Sequence, residues 1–188
     1  DNPLDNAPTI QPVKNWLESL VVGMNLCPFA KRELVKDRVR FAVTPAATEE
    51  QLIIALRQEL EFLSTEPSVE TTLLIHPDVL QDFDEYNQFL AVADRLLVDL
   101  QLEGVFQIAS FHPGYRFEGT QPEDAENYTN RSPYPLLHLL REASLERAVA
   151  TYPDVDQIPI NNIALMNEMG QPKLQAMLAE TFSGIREK

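Results

Sequence analysis

The feature that most constrains the fold is a strand ending that occurs three times in the chain. Short runs of β-branched and apolar residues stop at a proline in VTP, IHP and FHP, and amphipathic helical patterns separate the runs. Strands joined by helical crossovers of this length run parallel. We therefore predict an α/β fold with a small, mainly parallel sheet of about three strands packed by helices; an α+β sandwich is the alternative. The predicted strands are residues 39–43, 71–75 and 105–111.

Capping residues and apolar periodicity define the predicted helices. Thr48 with Gln51 three residues later forms a capping box, and Asp82 precedes a long apolar stripe. A further apolar pattern predicts a helix from residue 132 or 134 to about 149. We expect one domain over residues 1–188, with a loose arm at 1–10, an α/β core at 11–150 and a C-terminal helical cluster at 151–188.

About 20 residues between the third strand and the next helical pattern show no periodicity. Compact domains rarely contain so long an irregular connection unless it forms a site or is disordered, and disordered segments are poor in aromatic residues. This connection is rich in phenylalanine and tyrosine, so we predict an ordered loop that forms the functional site. Its candidate substrate-binding residues are Tyr115, Arg116, Asn130, Arg131, Ser132 and Tyr134.

The predicted strand ends indicate where this site lies. Parallel strands share one carboxyl edge, where open α/β sheets bind their ligands. Thr44, His76 and His112 directly follow the three strands. A proline that simply ends a strand, beside an internally satisfied histidine, explains the same pattern. We predict a cleft at this edge, roofed by residues 115–131, with His76 among the substrate-binding residues.

The arginines of the loop predict an anionic ligand. Arg116 and Arg131 belong to a chain with a net charge of −14, and guanidinium groups bind carboxylates and phosphates through paired hydrogen bonds. Arg131 also precedes the helix predicted from residue 132, and a helix N-terminus favours an anion. Ion pairs between these arginines and nearby Glu or Asp side chains are the alternative.

Two residues are candidate catalytic groups. His112 lies between a strand end and the loop, where it could act as a general base or as a ligand. Cys27 precedes Pro28, the predicted first residue of a helix at 28–36, and a helix start favours the reactive thiolate form. A small buried apolar role for Cys27 is the alternative. His138 lies among leucines, a setting more typical of a core histidine.

Composition excludes several classes of protein. With 29 acidic and 15 basic residues, the chain is a poor partner for nucleic acid or an anionic membrane surface. No apolar run is long enough to span a membrane, and the N-terminus lacks the pattern of a signal peptide. One cysteine permits no internal disulfide, so we expect a cytoplasmic protein. The histidines and the cysteine lack metal-ligand spacing, so we expect a metal-free site, and neither a cofactor nor an oligomeric state is predicted.

Two classes of function are compatible with these features. The first is an enzyme that acts on a small anionic metabolite, with Cys27 or His112 as the reactive group. The second is a non-catalytic module that binds an anionic ligand or a protein partner at the same edge. Walker, dinucleotide-binding, hydrolase and zinc-protease motifs are all missing from the sequence, so motifs do not decide between the two.

Four segments of the chain resemble one family. GMNLCPFA, TTLLIHP, ASFHPGYRFEGT and NYTNRSPYPLLHLLRE together resemble the uncharacterised bacterial family DUF1415. The resemblance covers about residues 16–170, and these segments show no departure from the family pattern. It implies a bacterial cytoplasmic protein and supplies no activity, substrate or cofactor.

Overall fold

The chain divides into two compact units in the computed structural model, which describes residues 6–27, 29–30, 33 and 36–183. The long loop belongs to unit 1 and the predicted strands belong to unit 2. The expectation of a single domain stays a prediction. Unit 1 contains Asp1–Lys31, His112–Tyr134 and Asp154–Lys188, and unit 2 contains Arg32–Phe111 and Pro135–Pro153.

The regular elements alternate along most of the chain. The strands are β1 (Val39–Val43), β2 (Thr71–Ile75), β3 (Phe106–Phe111) and β4 (Leu136–Arg141). The α-helices are α1 (Ala7–Trp16), α2 (Glu49–Thr65), α3 (Phe83–Asp99), α4 (Glu142–Thr151), α5 (Gln157–Met169) and α6 (Gln171–Glu180). Leu17–Val22 is a π-helical continuation of α1, and Ala125–Asn130 is a 3₁₀ helix.

Unit 2 is built on a mixed sheet with the strand order β1-β2-β4-β3. β1 and β2 pair in parallel, whereas β4 pairs antiparallel with both β2 and β3. β1, β2 and β3 therefore run in the same direction, as the helical crossovers predict. The α/β class is confirmed, but the expectation of about three, mainly parallel strands is corrected to a mixed sheet of four.

The fourth strand replaces the first part of the helix predicted at residues 132–149. β4 lies between two other strands, and its Leu136, Leu137 and Leu139 are fully buried. A strand buried on both faces has a nearly continuous apolar sequence, which over so few residues cannot be distinguished from a buried helix. The helix begins only at Glu142.

Two long helices, α2 and α3, pack against the sheet in one apolar core. α2 begins as the capping box predicts, since Thr48 Oγ1 accepts a hydrogen bond from the Gln51 N–H at 3.2 Å. Asp82 caps α3 in the same way, by accepting from the Glu85 N–H at 3.0 Å. Shared core residues of the two helices and the sheet include Leu52, Leu56, Leu60, Leu74, Phe89, Ala93, Leu137 and Leu139.

Unit 1 contains the helical cluster predicted near the C-terminus. The 3₁₀ helix, α5 and α6 pack together, and α5 ends at Gly170, whose φ of 82° is readily accessible to glycine. α1 begins at Ala7, so the loose arm expected at 1–10 is wrong for residues 7–10. Residues 1–5, Pro28 and most of the helix predicted at 28–36 lie outside the described residues.

Candidate functional site

The ends of β1, β2 and β3 are level at one edge of the sheet in unit 2. Val43 pairs with Ile75, and Leu136 at the start of β4 pairs with both Ile75 and Phe111. These residues form one row, so the prediction of a shared carboxyl edge is confirmed. However, β4 separates the ends of β2 and β3, so Ile75 and Phe111 lie two strand spacings apart, about 10 Å.

Thr44 and His76 extend this edge by one residue, and both are held by internal hydrogen bonds. His76 is fully buried, and its Nδ1 lies 3.0 Å from the Val79 carbonyl, which can only accept. The neutral ring therefore carries its proton on Nδ1. Thr44 Oγ1 accepts a hydrogen bond from the Ala46 N–H at 3.2 Å. Such internal hydrogen bonds are expected of residues that simply end a strand. They therefore agree with the alternative interpretation, in which these residues do not bind a ligand.

Tyr86 contributes to the same edge, although the sequence places it only in the apolar stripe of α3. Its buried hydroxyl donates to the Leu136 carbonyl at 2.7 Å and accepts from the Phe111 N–H at 3.1 Å. Its ring also stacks on His76, with 5.9 Å between ring centroids. Tyr86 thus links β3 and β4 at the end of their ladder, and a tyrosine among apolar residues is the only sequence signal for it.

His112 opens the loop in unit 1 and is buried. Its backbone N–H donates to the Asn130 carbonyl at 3.2 Å, and its ring Nδ1 accepts a hydrogen bond from the Gly114 N–H at 2.9 Å. Because the lone pair of Nδ1 is occupied, the neutral ring carries its proton on Nε2. Nε2 is then a hydrogen-bond donor rather than a base, which differs from the expected general-base role.

Asn127 organises the middle of the loop and is fully buried. Its Oδ1 accepts from the Phe117 N–H at 2.9 Å and lies 2.9 Å from the Thr120 hydroxyl, while its Nδ2 donates to the Gln121 carbonyl at 2.7 Å. The loop is therefore ordered, as its aromatic content predicts. The sequence contains no signal that distinguishes Asn127 from Asn130, the asparagine singled out as a candidate.

Arg131 joins three parts of the loop. It is 9% exposed, its Nε donates to the Tyr115 carbonyl at 3.0 Å, and one terminal amino group donates to the Pro122 carbonyl at 2.7 Å. Its guanidinium carbon lies 4.6 Å from the centroid of the Tyr128 ring. Tyr115 in turn packs edge-on against Phe117. Among the described residues, Arg131 thus holds the loop through backbone carbonyls and an aromatic face, not through a carboxylate.

Arg116 has a different environment in the same loop. It is exposed, and its Nε donates to the Thr120 carbonyl at 2.7 Å. Within residues 6–27, 29–30, 33 and 36–183, its two terminal amino groups make no hydrogen bond and no ion pair. The hydrogen bond to Thr120 therefore fixes the Nε side of the guanidinium group. The two terminal amino groups remain as the donors that can bind a carboxylate or a phosphate in a two-point contact.

Ser132 and Tyr134 do not cap a helix, because the chain enters β4 here. Ser132 is buried, and its hydroxyl donates to the Tyr134 carbonyl at 2.7 Å. The Tyr134 ring packs edge-on against Phe182 at 5.5 Å between centroids. The suggestion that a helix N-terminus after Arg131 attracts an anion is therefore wrong.

Cys27 is exposed, so the alternative of a buried apolar cysteine is wrong. Its neighbour Leu26 belongs to the buried cluster that contains Tyr128 of the 3₁₀ helix and Met166 of α5. The Leu26 carbonyl also accepts a hydrogen bond from Asn162 Nδ2 at 3.0 Å. The backbone beside Cys27 is therefore anchored to the helices that pack on the loop.

His138 lies in β4 and not in the loop. Its Nε2 lies 2.8 Å from Thr71 Oγ1, and Thr71 donates its own proton to the Leu139 carbonyl at 2.6 Å, so the ring Nε2–H donates to Thr71. Burial of the ring lowers the pKa of His138 from 6.5 to about 4. The ring is therefore neutral at neutral pH, as expected for a core histidine.

Arg141, the third cationic residue near the loop in the sequence, is at the other end of β4. One of its terminal amino groups lies 2.8 Å from the Leu63 carbonyl, 3.1 Å from that of Glu66 and 2.7 Å from that of Val69. A cation beside the last carbonyls of a helix satisfies their hydrogen bonding and complements the helix dipole. Arg141 therefore caps α2.

Two kinds of feature are missing from the described part of the chain. No group of three or more His, Cys, Asp and Glu side chains there is arranged to hold a metal ion. No helix there combines the length and the apolar character needed to cross a membrane. The metal-free site stays a prediction.

Comparison with known proteins identifies the family. No curated protein and no solved structure matches the chain significantly. The model of the family DUF1415, described as a protein of unknown function, matches residues 8–176, which include all the candidate site residues. The chain therefore belongs to the DUF1415 family.

Proposed function

We propose that the chain is an enzyme that acts on a small anionic metabolite at the loop of unit 1, with Arg116 as the anion contact and Cys27 as the reactive thiol. The observation that carries the proposal is the state of Arg116. In a chain with a net charge of −14, this exposed guanidinium group is oriented by one backbone carbonyl and bound to no carboxylate among the described residues.

The rest of the loop supports this assignment by fixing the carbonyl that holds Arg116. Thr120, which accepts from Arg116 Nε, has its hydroxyl 2.9 Å from the buried Asn127. A guanidinium group held in advance loses less conformational entropy when it binds a ligand. Arg131 supports the same loop, because its guanidinium N–H groups donate hydrogen bonds to two backbone carbonyls of the loop.

A non-catalytic anion-binding module is the second candidate, and the histidines favour it. His112 Nδ1 accepts from Gly114, and His76 Nδ1 faces the Val79 carbonyl. The first contact does not leave His112 in the arrangement expected of a general base, and His76 belongs to unit 2 rather than to the loop. The two candidates share Arg116 and differ in whether Cys27 lies at the ligand.

Arg116→Ala is expected to abolish stabilisation by anions. At ten times its dissociation constant, a ligand of the native state adds about 1.4 kcal/mol, or on the order of 4 °C in Tm for a chain of this size. We would measure thermal unfolding with phosphate and with small di- and tricarboxylates. Arg57→Ala, which removes an exposed arginine from α2, is the matched control and should keep the full shift. An equal shift in wild type and Arg116→Ala would contradict the proposal.

Cys27 should react with iodoacetamide in the native protein because it is exposed. If the thiol lies at the bound metabolite, a saturating anion that stabilises the protein should slow alkylation at least about tenfold, as expected for a thiol covered by a ligand present at ten times its dissociation constant. The rate in Arg116→Ala should not respond to the anion. Stabilisation without protection of Cys27 would reject the enzyme and favour the binding module.

A further inference from the structure

Helix α5 exposes an apolar face that the packing of unit 1 does not use. Its buried residues are Asn162 and Met166, whereas Ile160 is 57% exposed and Ile163 is 40% exposed. At 100° per residue, Ile160, Ile163, Ala164 and Asn167 lie on one side of the helix, opposite Asn162 and Met166. Ala164 and Asn167 are also exposed. The helix therefore turns a polar residue inward and two isoleucines outward.

The charge of this face distinguishes it from the other exposed apolar positions. Exposed valines and isoleucines also occur on α2, α3 and α4, but each of these helices contains at least two acidic residues and one basic residue. The sequence of α5, QIPINNIALMNEM, contains one charged residue, Glu168. For a chain with a net charge of −14, a surface that meets an identical surface must avoid opposing carboxylates.

We propose that the α5 face, formed by Ile160, Ile163, Ala164 and Asn167, is a self-association surface that binds a second copy of this chain. Two-fold symmetry brings the same face of both copies together. An antiparallel pair of α5 helices centred between Ile160 and Ile163 places each Ile160 against Ile163 of the second copy. It also places Asp156, which precedes α5, against Asn167 of the second copy, so no carboxylate meets another carboxylate.

The small size of the α5 face limits how tightly two copies can bind through it. Thirteen residues of helix are about 20 Å long, and one face of that length is smaller than the roughly 800 Å² per partner of a stable complex. The association is therefore weak and is measured at micromolar to millimolar protein concentration. Because both copies are acidic, added salt screens their repulsion and strengthens the association.

Sedimentation velocity of the full chain from about 20 μM to about 1 mM, in low and high sodium chloride, tests this proposal. Wild type should shift towards dimer with concentration, more so at high salt. The double variant Ile160→Glu/Ile163→Glu should weaken association at least about tenfold, since it places like charges at the contact. The matched control is Ile54→Glu on α2, because Ile54 is 58% exposed and equally able to accept a charge.

Three results would overturn the proposal. Wild type could remain monomeric at the highest protein and salt concentrations. The double variant could dimerise as well as wild type, which would place the contact elsewhere. Ile54→Glu could weaken association as much as the double variant, which would indicate a general effect of charge. Circular dichroism of the variants distinguishes lost association from lost folding, and both substituted faces are exposed.

Discussion

Arg131→Ala is expected to lower the free energy of unfolding by about 3 kcal/mol, because it removes charged donors from two loop carbonyls. The substitution also removes the guanidinium group that lies 4.6 Å from the Tyr128 ring. Since Arg131 is 9% exposed, water does not simply replace these contacts. Trp16, the single tryptophan and a buried residue of unit 1, reports this loss through its fluorescence in urea.

Arg116→Ala is the matched control, since it removes the same type of side chain from the same loop. Arg116 is exposed and gives one hydrogen bond to a carbonyl, so its loss should change the free energy of unfolding by no more than about 0.5 kcal/mol. Arg131→Lys should be intermediate, because an ammonium group reaches one of the two carbonyls but lacks the planar fork. Equal stability of Arg131→Ala and Arg116→Ala would show that Arg131 does not hold the loop.

The parts of the fold that follow from local chemistry are predictable from the sequence. A capping box at Thr48, an acidic N-cap at Asp82 and prolines after each strand define the ends of elements within a few residues. Crossover length then determines that β1, β2 and β3 run in one direction. None of these inferences needs knowledge of distant contacts.

β4 could not be predicted in this way because its sequence, LLHLLR, reflects its central position in the sheet. Four leucines around His138 satisfy both the periodicity of a buried helix and that of a strand buried on both faces. Whether these residues form a helix or a strand depends on hydrogen bonds to β2 and β3, which lie far away in the sequence. The predictions that depended on a helix starting at residue 132, including an anion bound at its N-terminus, were therefore wrong as well.

The two loop arginines show the same limit of prediction from the sequence, now at the candidate site. Arg116 follows Tyr115 directly and Arg131 lies three residues after Tyr128. The two arginines have the same chemistry in the sequence, yet one is exposed and the other is buried. Their environments depend on which carbonyls of the folded loop point inward, and Asn127 at the loop centre holds part of that backbone through Phe117 and Gln121. Side-chain roles in an irregular loop are thus determined by its backbone hydrogen bonds rather than by residue type.

Lowering the pH from 7 to 4 is expected to reduce the free energy of unfolding by about 3 kcal/mol through His138 alone. Burial lowers the pKa of His138 from 6.5 to about 4, so between these values the unfolded chain binds one more proton than the folded chain. Stability therefore falls as the pH drops below 6.5, by about 1.4 kcal/mol per pH unit, and levels off below pH 4. Above pH 6.5 the contribution does not change.

His138→Gln isolates this effect, because the amide can still donate to Thr71 Oγ1 but does not titrate. Both proteins share all 29 acidic residues, so the titration of carboxylates cancels in the difference between them. Urea unfolding at several pH values should give a difference in free energy that is constant above pH 7 and changes by about 2 kcal/mol at pH 5. Thr71→Val should lower stability at every pH without removing this slope, because burial, not the hydrogen bond, causes the shift in pKa. Parallel profiles for wild type and His138→Gln would show that the ring of His138 is accessible to protons in the folded chain.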